Sequence, residues 1–371
     1  MRPKLKYKIL TMFVITTFLM IFISYKLIER QYLKYGRLVN RYISFECNND
    51  DICGGWADRL KGLFSTYAFS LITNRTFLIK ITKNCDLKNI LIPNKILWYS
   101  SQVPNSVSNK TLNYAWNYNL EIEFRNSTTI LKEISNENLI IIKSGFMFSN
   151  VLSENRNFQE RLNQLGYEPS KFKLAFQLRK WYQDLFRLNK RLQVKYDKLL
   201  KQMKPTVNSK LICAQLRMGD EGHVGESDLD MGSKFWNFIN QTFLIDDKMN
   251  KFSIFITSDR EYFKKDAELF FRNKRVFYTG NSSLHVERPS DSNQCENLEK
   301  VIFDFHLMQN CDIGVVSHSG FGILAMWNRP DPFKDLYVYT KKNQDELRQN
   351  YWNRKNLTFV KYGNLDDIYF L

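Results

Sequence analysis

Leu211-Ile212-Cys213-Ala214-Gln215-Leu216-Arg217-Met218-Gly219-Asp220 is apolar for most of its first six residues and then stops on an arginine and a glycine turn. A short apolar run that ends this abruptly reads as a buried strand over 211–216, whose last side chains reach the rim of a sheet. The pattern then repeats: a strand over 252–257, a helix over 261–272, a strand over 276–278, a polar loop, a helix over 298–310 and a strand over 313–316. Strands that alternate with helices predict an α/β fold with a doubly wound parallel sheet, in which ligands sit at the carboxyl ends of the strands.

The polar clusters fall at those ends. Arg217 can fork two donors onto a phosphate, and Gly219 beside it lets backbone approach a ligand; the alternative is a surface arginine paired with Asp220. Thr257-Ser258-Asp259 hands the next strand to its helix, where Ser258 or Asp259 caps that helix or lines the crevice. Asp304 lies on a helix, and Ser317-His318-Ser319-Gly320-Phe321-Gly322 opens another, where free N–H groups and small hydroxyls form a phosphate cradle. The four histidines, His223, His285, His306 and His318, are too scattered for a ligand set, and His306 and His318 are read as local packing residues. No Ser-His-Asp triad can be argued, because Ser317 and Ser319 adjoin His318 in sequence.

Toward the N-terminus, Gly54-Gly55-Trp56-Ala57 is a tight turn before Leu60, Leu63, Phe64, Tyr67 and Leu71, which are spaced for one face of a helix. Strands are expected over 76–81, 95–99 and 139–142. Phe176, Leu178, Trp181, Leu185, Leu188, Leu192 and Leu199 predict a long helix or a helix pair that ends before Lys204-Pro205. A chain of 371 residues favours two domains, and the border is placed there, giving units over 46–204 and 205–371.

The chain carries 54 Lys and Arg against 38 Asp and Glu, a formal charge of +16, which calls for an anionic partner or a solvated basic surface. Long blocks of like charge, an aromatic RNA-binding signature and zinc spacing are all missing, so nucleic acid is excluded as a partner. Arg2, Lys4, Lys6 and Lys8 precede an uncharged run from Ile9 to Tyr25. No small-residue cleavage site follows, so 9–27 is expected to be an uncleaved transmembrane signal anchor, with 1–8 cytosolic, 28–45 a stem, and a luminal body of type II orientation. Asn-x-Ser/Thr acceptors at Asn74, Asn109, Asn126, Asn240, Asn281 and Asn356 suit that compartment. So do six cysteines, Cys47, Cys53, Cys85, Cys213, Cys295 and Cys311, an even number that can pair in several ways.

In order and spacing, the segments at Arg217, Asp259 and Asp304–Gly322 resemble the three shared motifs of the superfamily that holds the core α1,6-fucosyltransferase of N-glycans, the protein O-fucosyltransferases and the α1,2-fucosyltransferases. Gly54-Gly55-Trp56-Ala57-Asp58-Arg59-Leu60 resembles its N-terminal glycine loop, with Asp58 where Asn is common. The resemblance covers 52–82 and 210–328 and implies a GT-B fold: two Rossmann-like domains facing a cleft, GDP-fucose held mainly by the second and a glycan or glycoprotein acceptor by the first. It implies an inverting glycosyltransferase that needs no metal or other cofactor, at the Golgi membrane. Carried over by motif, Arg217 contacts the donor diphosphate, Asp304 recognises the guanine edge, and Ser317, Ser319 and Gly320 form the turn beside the phosphates. Gly54, Gly55 and Gly219 complete the donor site, and Asp259 has a nucleoside-side role. Glu226 and Asp58 are the candidates for the general base. The chain departs from the family at Gln215 and Met218, where His and a second Arg are common.

Two other readings stay open. Asp228-Leu229-Asp230 is a D-x-D triplet of the kind that holds a divalent ion in GT-A glycosyltransferases. A membrane-anchored luminal binding protein with the same fold and no turnover is the second.

Overall fold

The apolar run over 211–216 becomes β7 (Lys210–Leu216), buried along its whole length after Lys210, as an interior strand covered on both faces must be. The computed structural model describes residues 41–99, 103, 108–114, 123–125, 131–132, 134, 136–219, 230–247, 251–272, 274–280, 286–287, 293–341 and 357–363. The expected anchor over 9–27 lies outside them. Among the described residues no helix is long and apolar enough to cross a membrane.

The first sheet contains β1 (Tyr42–Cys47), β2 (Thr76–Ile81), β4 (Asn109–Tyr114) and β5 (Leu139–Ser144), all parallel and in the order β2-β1-β5-β4. The expected stem over 28–45 therefore ends too late. Tyr42-Ile43-Ser44-Phe45 already belongs to a central strand, a run too short and mixed to stand out beside its charged neighbours. Helix α1 (Trp56–Thr73) connects β1 to β2. Gly55 caps its start and Asn74, at φ 54°, turns the chain out of its end. It is buried almost all round, because β1 and β5 cover one side and helices of both halves cover the other.

The run over 95–99 is not a strand. The ladder forms instead at β3 (Leu91–Pro93), antiparallel to β6 (Phe186–Leu188), and 95–99 contributes an isolated bridge from Tyr99 to Ile79. Trp98 gives this run its apolar weight. Its ring is buried and its Nε1 donates to the carbonyl of Leu185 at 2.7 Å, a tertiary contact that mimics a strand in the pattern. The helical stretch after 172 is a pair, α2 (Leu174–Leu185) and α3 (Lys190–Met203), parted by β6.

The second sheet has the order β12-β11-β10-β7-β8-β9, with β8 (Phe252–Ser258), β9 (Arg275–Phe277), β10 (Ile313–Ser317), β11 (Leu336–Lys341) and β12 (Leu357–Tyr362). All pairs are parallel except β11 with β12. Its helices are α4 (Met231–Ile239), α5 (Glu261–Phe270), α6 (Gln294–Met308) and α7 (Gly320–Trp327).

All six cysteines are paired, as Cys47–Cys53, Cys85–Cys295 and Cys213–Cys311. The second of these ties the first half of the chain to the second. An apolar core also runs across the junction, where α1 meets α2, α6 and α7 through Phe64, Trp181, Tyr182 and Phe305.

His306, on α6, is buried at this junction. Its Nδ1 lies 3.3 Å from the Tyr182 hydroxyl on α2, and its ring meets Tyr196 on α3 edge to face. Burial pushes its pKa, and that of His318, from 6.5 down to about 4. A base with a depressed folded-state pKa binds fewer protons folded than unfolded, so stability falls as pH drops from 6.5 toward 4. The thermal midpoint is expected to decline across that window, and less steeply in His306→Phe. Equal slopes would show that His306 takes no part.

Candidate functional site

A doubly wound sheet opens a crevice where neighbouring strands send the chain opposite ways, and here those strands are β7 and β10. From β7 the chain crosses to β8, whereas β10 lies on its other flank and leads outward to β11. Arg217 emerges from β7 and Ser317 ends β10, and the Arg217 backbone N–H donates to Ser317 Oγ at 2.9 Å. Two of the motif segments therefore meet at the switch point itself.

The third joins them from β8. Arg217 donates a guanidinium N–H to Asp259 Oδ2 at 2.9 Å. The same carboxylate accepts the N–H groups of Met218, at 3.0 Å, and Gly219, at 3.1 Å. Gly219 has φ 95°, a turn that an L side chain resists, and Arg260 reaches back to its carbonyl at 3.4 Å. Asp259 is thus the clamp of the arginine turn and not a cap of α5, whose start has no side-chain cap; Ser258 Oγ accepts the N–H of Arg260, the residue before the helix. Asp220, the alternative partner for Arg217, lies outside the described residues. The Arg217 side chain remains 25% exposed.

Gln215 organises the β10 side. Its Oε1 accepts from the hydroxyls of Ser317, at 3.1 Å, and Ser319, at 3.0 Å. Ser319 Oγ in turn accepts the Gly322 N–H at 3.3 Å and caps α7, whose first residue is Gly320. The helix start that sequence reasoning singled out therefore points into the same crevice as Arg217, with backbone donors and the helix dipole favouring an anion.

Asp304 is placed differently from the expectation that it meets a ligand edge. It is 2% exposed, and its carboxylate accepts from Thr257, Thr279 and, at 2.7 Å, Lys300. In this arrangement it holds α6 against the ends of β8 and β9. Lys264 lies nearby, donating to Glu261 and to the carbonyl of Gly280 at 3.1 Å each, with its pKa lowered by burial and then by Lys300.

In the glycine loop, Asp58 reaches back to the Gly55 N–H at 3.0 Å and pairs with Lys61 at 2.8 Å, so it closes the start of α1. Gly54 sits at φ 71°. The sequence reading overlooked Arg59. This fully buried guanidinium donates to the carbonyls of Gly54 and Lys83, at 3.3 Å each, and to Asn84 Oδ1 at 2.7 Å. Burial pushes its pKa down to about 10, opposed by Glu287 and Asp58. Glu226 and Asp228 lie outside the described residues. Asp230 precedes α4 and pairs with Lys234 at 3.0 Å.

No protein-family model matches the sequence, and no curated protein does. Solved structures do match. A mutant of FUT1 from Arabidopsis thaliana in complex with GDP is similar over 85% of this chain and 75% of its own, with a TM-score of 0.56 at 13% identity. The fold is fucosyltransferase-like. The fucosyltransferase NodZ from Bradyrhizobium is similar over 87% of this chain and 99% of its own, with a TM-score of 0.50 at 12% identity. A fucosyltransferase-like fold fits the mixed α/β architecture with its parallel sheets, and it brings Arg217, Asp259, Ser317, Ser319 and Gly320 around one crevice.

Proposed function

We propose that the protein is an inverting glycosyltransferase that moves fucose from GDP-fucose to a hydroxyl of a glycan or protein. The observation that carries this reading is the one-quarter-exposed Arg217 side chain, clamped by Asp259 and hydrogen-bonded through its backbone to the Ser317 turn, at a strand switch point beside a helix N-terminus. A diphosphate is the ligand that such a set of donors suits. The likeness in fold to a fucosyltransferase seen with GDP supports the choice of nucleotide.

In the reaction the C1–O bond to the β-phosphate breaks while the acceptor oxygen attacks C1 from the opposite face. The Arg217 guanidinium offsets charge growing on the leaving diphosphate, and the N–H groups at the start of α7 share that load. The acceptor proton must leave as its oxygen attacks. Asp58 is already engaged by the Gly55 N–H and Lys61, which makes Glu226 the better candidate for that base. We read 205–371, with Gly219, Asp259 and the Ser317–Gly320 turn, as the main donor side, completed by Gly54 and Gly55 from the unit before it, which otherwise takes the acceptor. Asp304 serves the nucleoside through the α6 position it fixes. The body faces the Golgi lumen behind an anchor at 9–27, and the three disulfides favour such an oxidising compartment.

Calorimetry of the luminal body with GDP, GDP-fucose, GDP-mannose and UDP-sugars, with and without EDTA, tests the reading. Binding of GDP and GDP-fucose, unchanged by EDTA, with no response to UDP-sugars, is the expected result. Binding of UDP-sugars that vanishes in EDTA would replace it with the metal-dependent alternative at Asp228 and Asp230.

A further inference from the structure

Glu287 stands in the second half of the chain, between β9 and α6, yet the partners given by its geometry lie in the first half. Its Oε1 accepts from Lys83 Nζ at 2.5 Å, and its Oε2 accepts the Cys53 N–H at 3.3 Å. The same Oε2 lies 3.8 Å from the guanidinium of the fully buried Arg59. Lys83 also donates to the carbonyl of Asp51, and Asp51 pairs with Lys143, at the end of β5, at 2.7 Å. One carboxylate thus touches the Cys47–Cys53 loop, the residue before Gly54 and the arginine whose Nε holds the Gly54 carbonyl.

We propose that Glu287 is a positioning residue that fixes the glycine loop of the first half through a carboxylate carried by the second half. The functional part of this proposal rests on the transferase reading above. A charge pair that is 84–100% buried on both sides is geometrically demanding, because each ion has given up water and is satisfied only in one arrangement. That demand fixes the loop closely, and small displacements in a reacting pair are costly: about 1 Å of misplacement can remove roughly 10²-fold of rate. Overall attachment of the halves does not depend on Glu287, since the Cys85–Cys295 disulfide ties the same neighbourhood covalently. The carboxylate therefore acts on the precision of the loop and not on whether the halves stay together.

The test uses the full chain with its disulfides oxidised, as Glu287→Ala and Glu287→Gln. Glu287→Gln keeps an acceptor for the Cys53 N–H and loses the charge. We expect faster amide exchange over residues 53–59 in Glu287→Ala, a fall in kcat of about 10²-fold, and partial recovery of both exchange and kcat in Glu287→Gln. A lower thermal midpoint with parental kcat would reduce Glu287 to a stabilising contact and overturn the proposal, as would unchanged exchange over 53–59. A parent protein that neither binds GDP nor transfers fucose refutes the transferase reading instead, and the exchange comparison still decides whether Glu287 holds the loop.

Discussion

Arg217→Ala is expected to lower fucosyl transfer by about 10²-fold or more while leaving the thermal midpoint close to that of the parent. The two halves of this expectation come from one carboxylate. Asp259 accepts from the Arg217 guanidinium and also from the N–H groups of Met218 and Gly219, so removal of the guanidinium leaves it with two backbone partners and not as an orphaned charge. The turn keeps its shape, and Ser317 Oγ still holds the residue-217 N–H. On the proposed reading, what disappears is the cation that offsets the charge growing on the leaving group. Arg217→Lys is expected to fall between the two, because a point charge survives but the planar fork that can serve Asp259 and a phosphate together does not. Single-turnover transfer and thermal unfolding of the three proteins provide the comparison. Parental turnover in Arg217→Ala would sink the mechanism, and loss of the fold would show that the guanidinium is part of the framework.

The legible part of this site is the part that a strand end can announce. β7, β8 and β10 are continuous apolar runs because both faces are covered, and each stops on a polar residue at the rim, so Arg217, Asp259 and Ser317 stand out in the sequence. What no local pattern can show is which of them touch. Asp259 was open to reading as a helix cap, and only the register of β7 against β8, Leu216 opposite Ser258, puts it under the Arg217 turn. Gln215 looked like a departure from the family and turns out to bridge Ser317 and Ser319, a contact across two neighbouring strands. Asp304 shows the opposite failure. Its type and position suggested a ligand contact, but Lys300 one helical turn earlier, Thr257 on β8 and Thr279 just past β9 engage it. Arg59 and Glu287 escaped notice because a buried ion pair between distant segments leaves no periodicity at either end.

Gly62→Ala is expected to destabilise the protein by more than about 3 kcal/mol, beyond the usual range for overpacking. Propensity alone predicts the reverse, since alanine in place of a mid-helix glycine normally stabilises by roughly 0.5–1 kcal/mol. The sign is decided by distance. A Cβ on Gly62 would lie 1.7 Å from the carbonyl oxygen of Ser144 and 2.9 Å from the Phe45 ring. A backbone oxygen at the end of a central strand cannot rotate away, so α1 would have to lift off the first sheet along the face where it meets β1 and β5. That lift breaks contacts of Phe64 and Leu63, both fully buried, and it carries Gly54 and Gly55 with it, because they form the turn that starts the same helix. Gly363→Ala, where a Cβ would meet nothing within 4 Å, is the matched control and should leave the midpoint unchanged. If Gly62→Ala unfolds at the parental temperature, the seating of α1 on β5 is looser than described. If it folds but unfolds early, any transfer activity that remains should fall as well, since Gly54 and Gly55 move with the start of the helix.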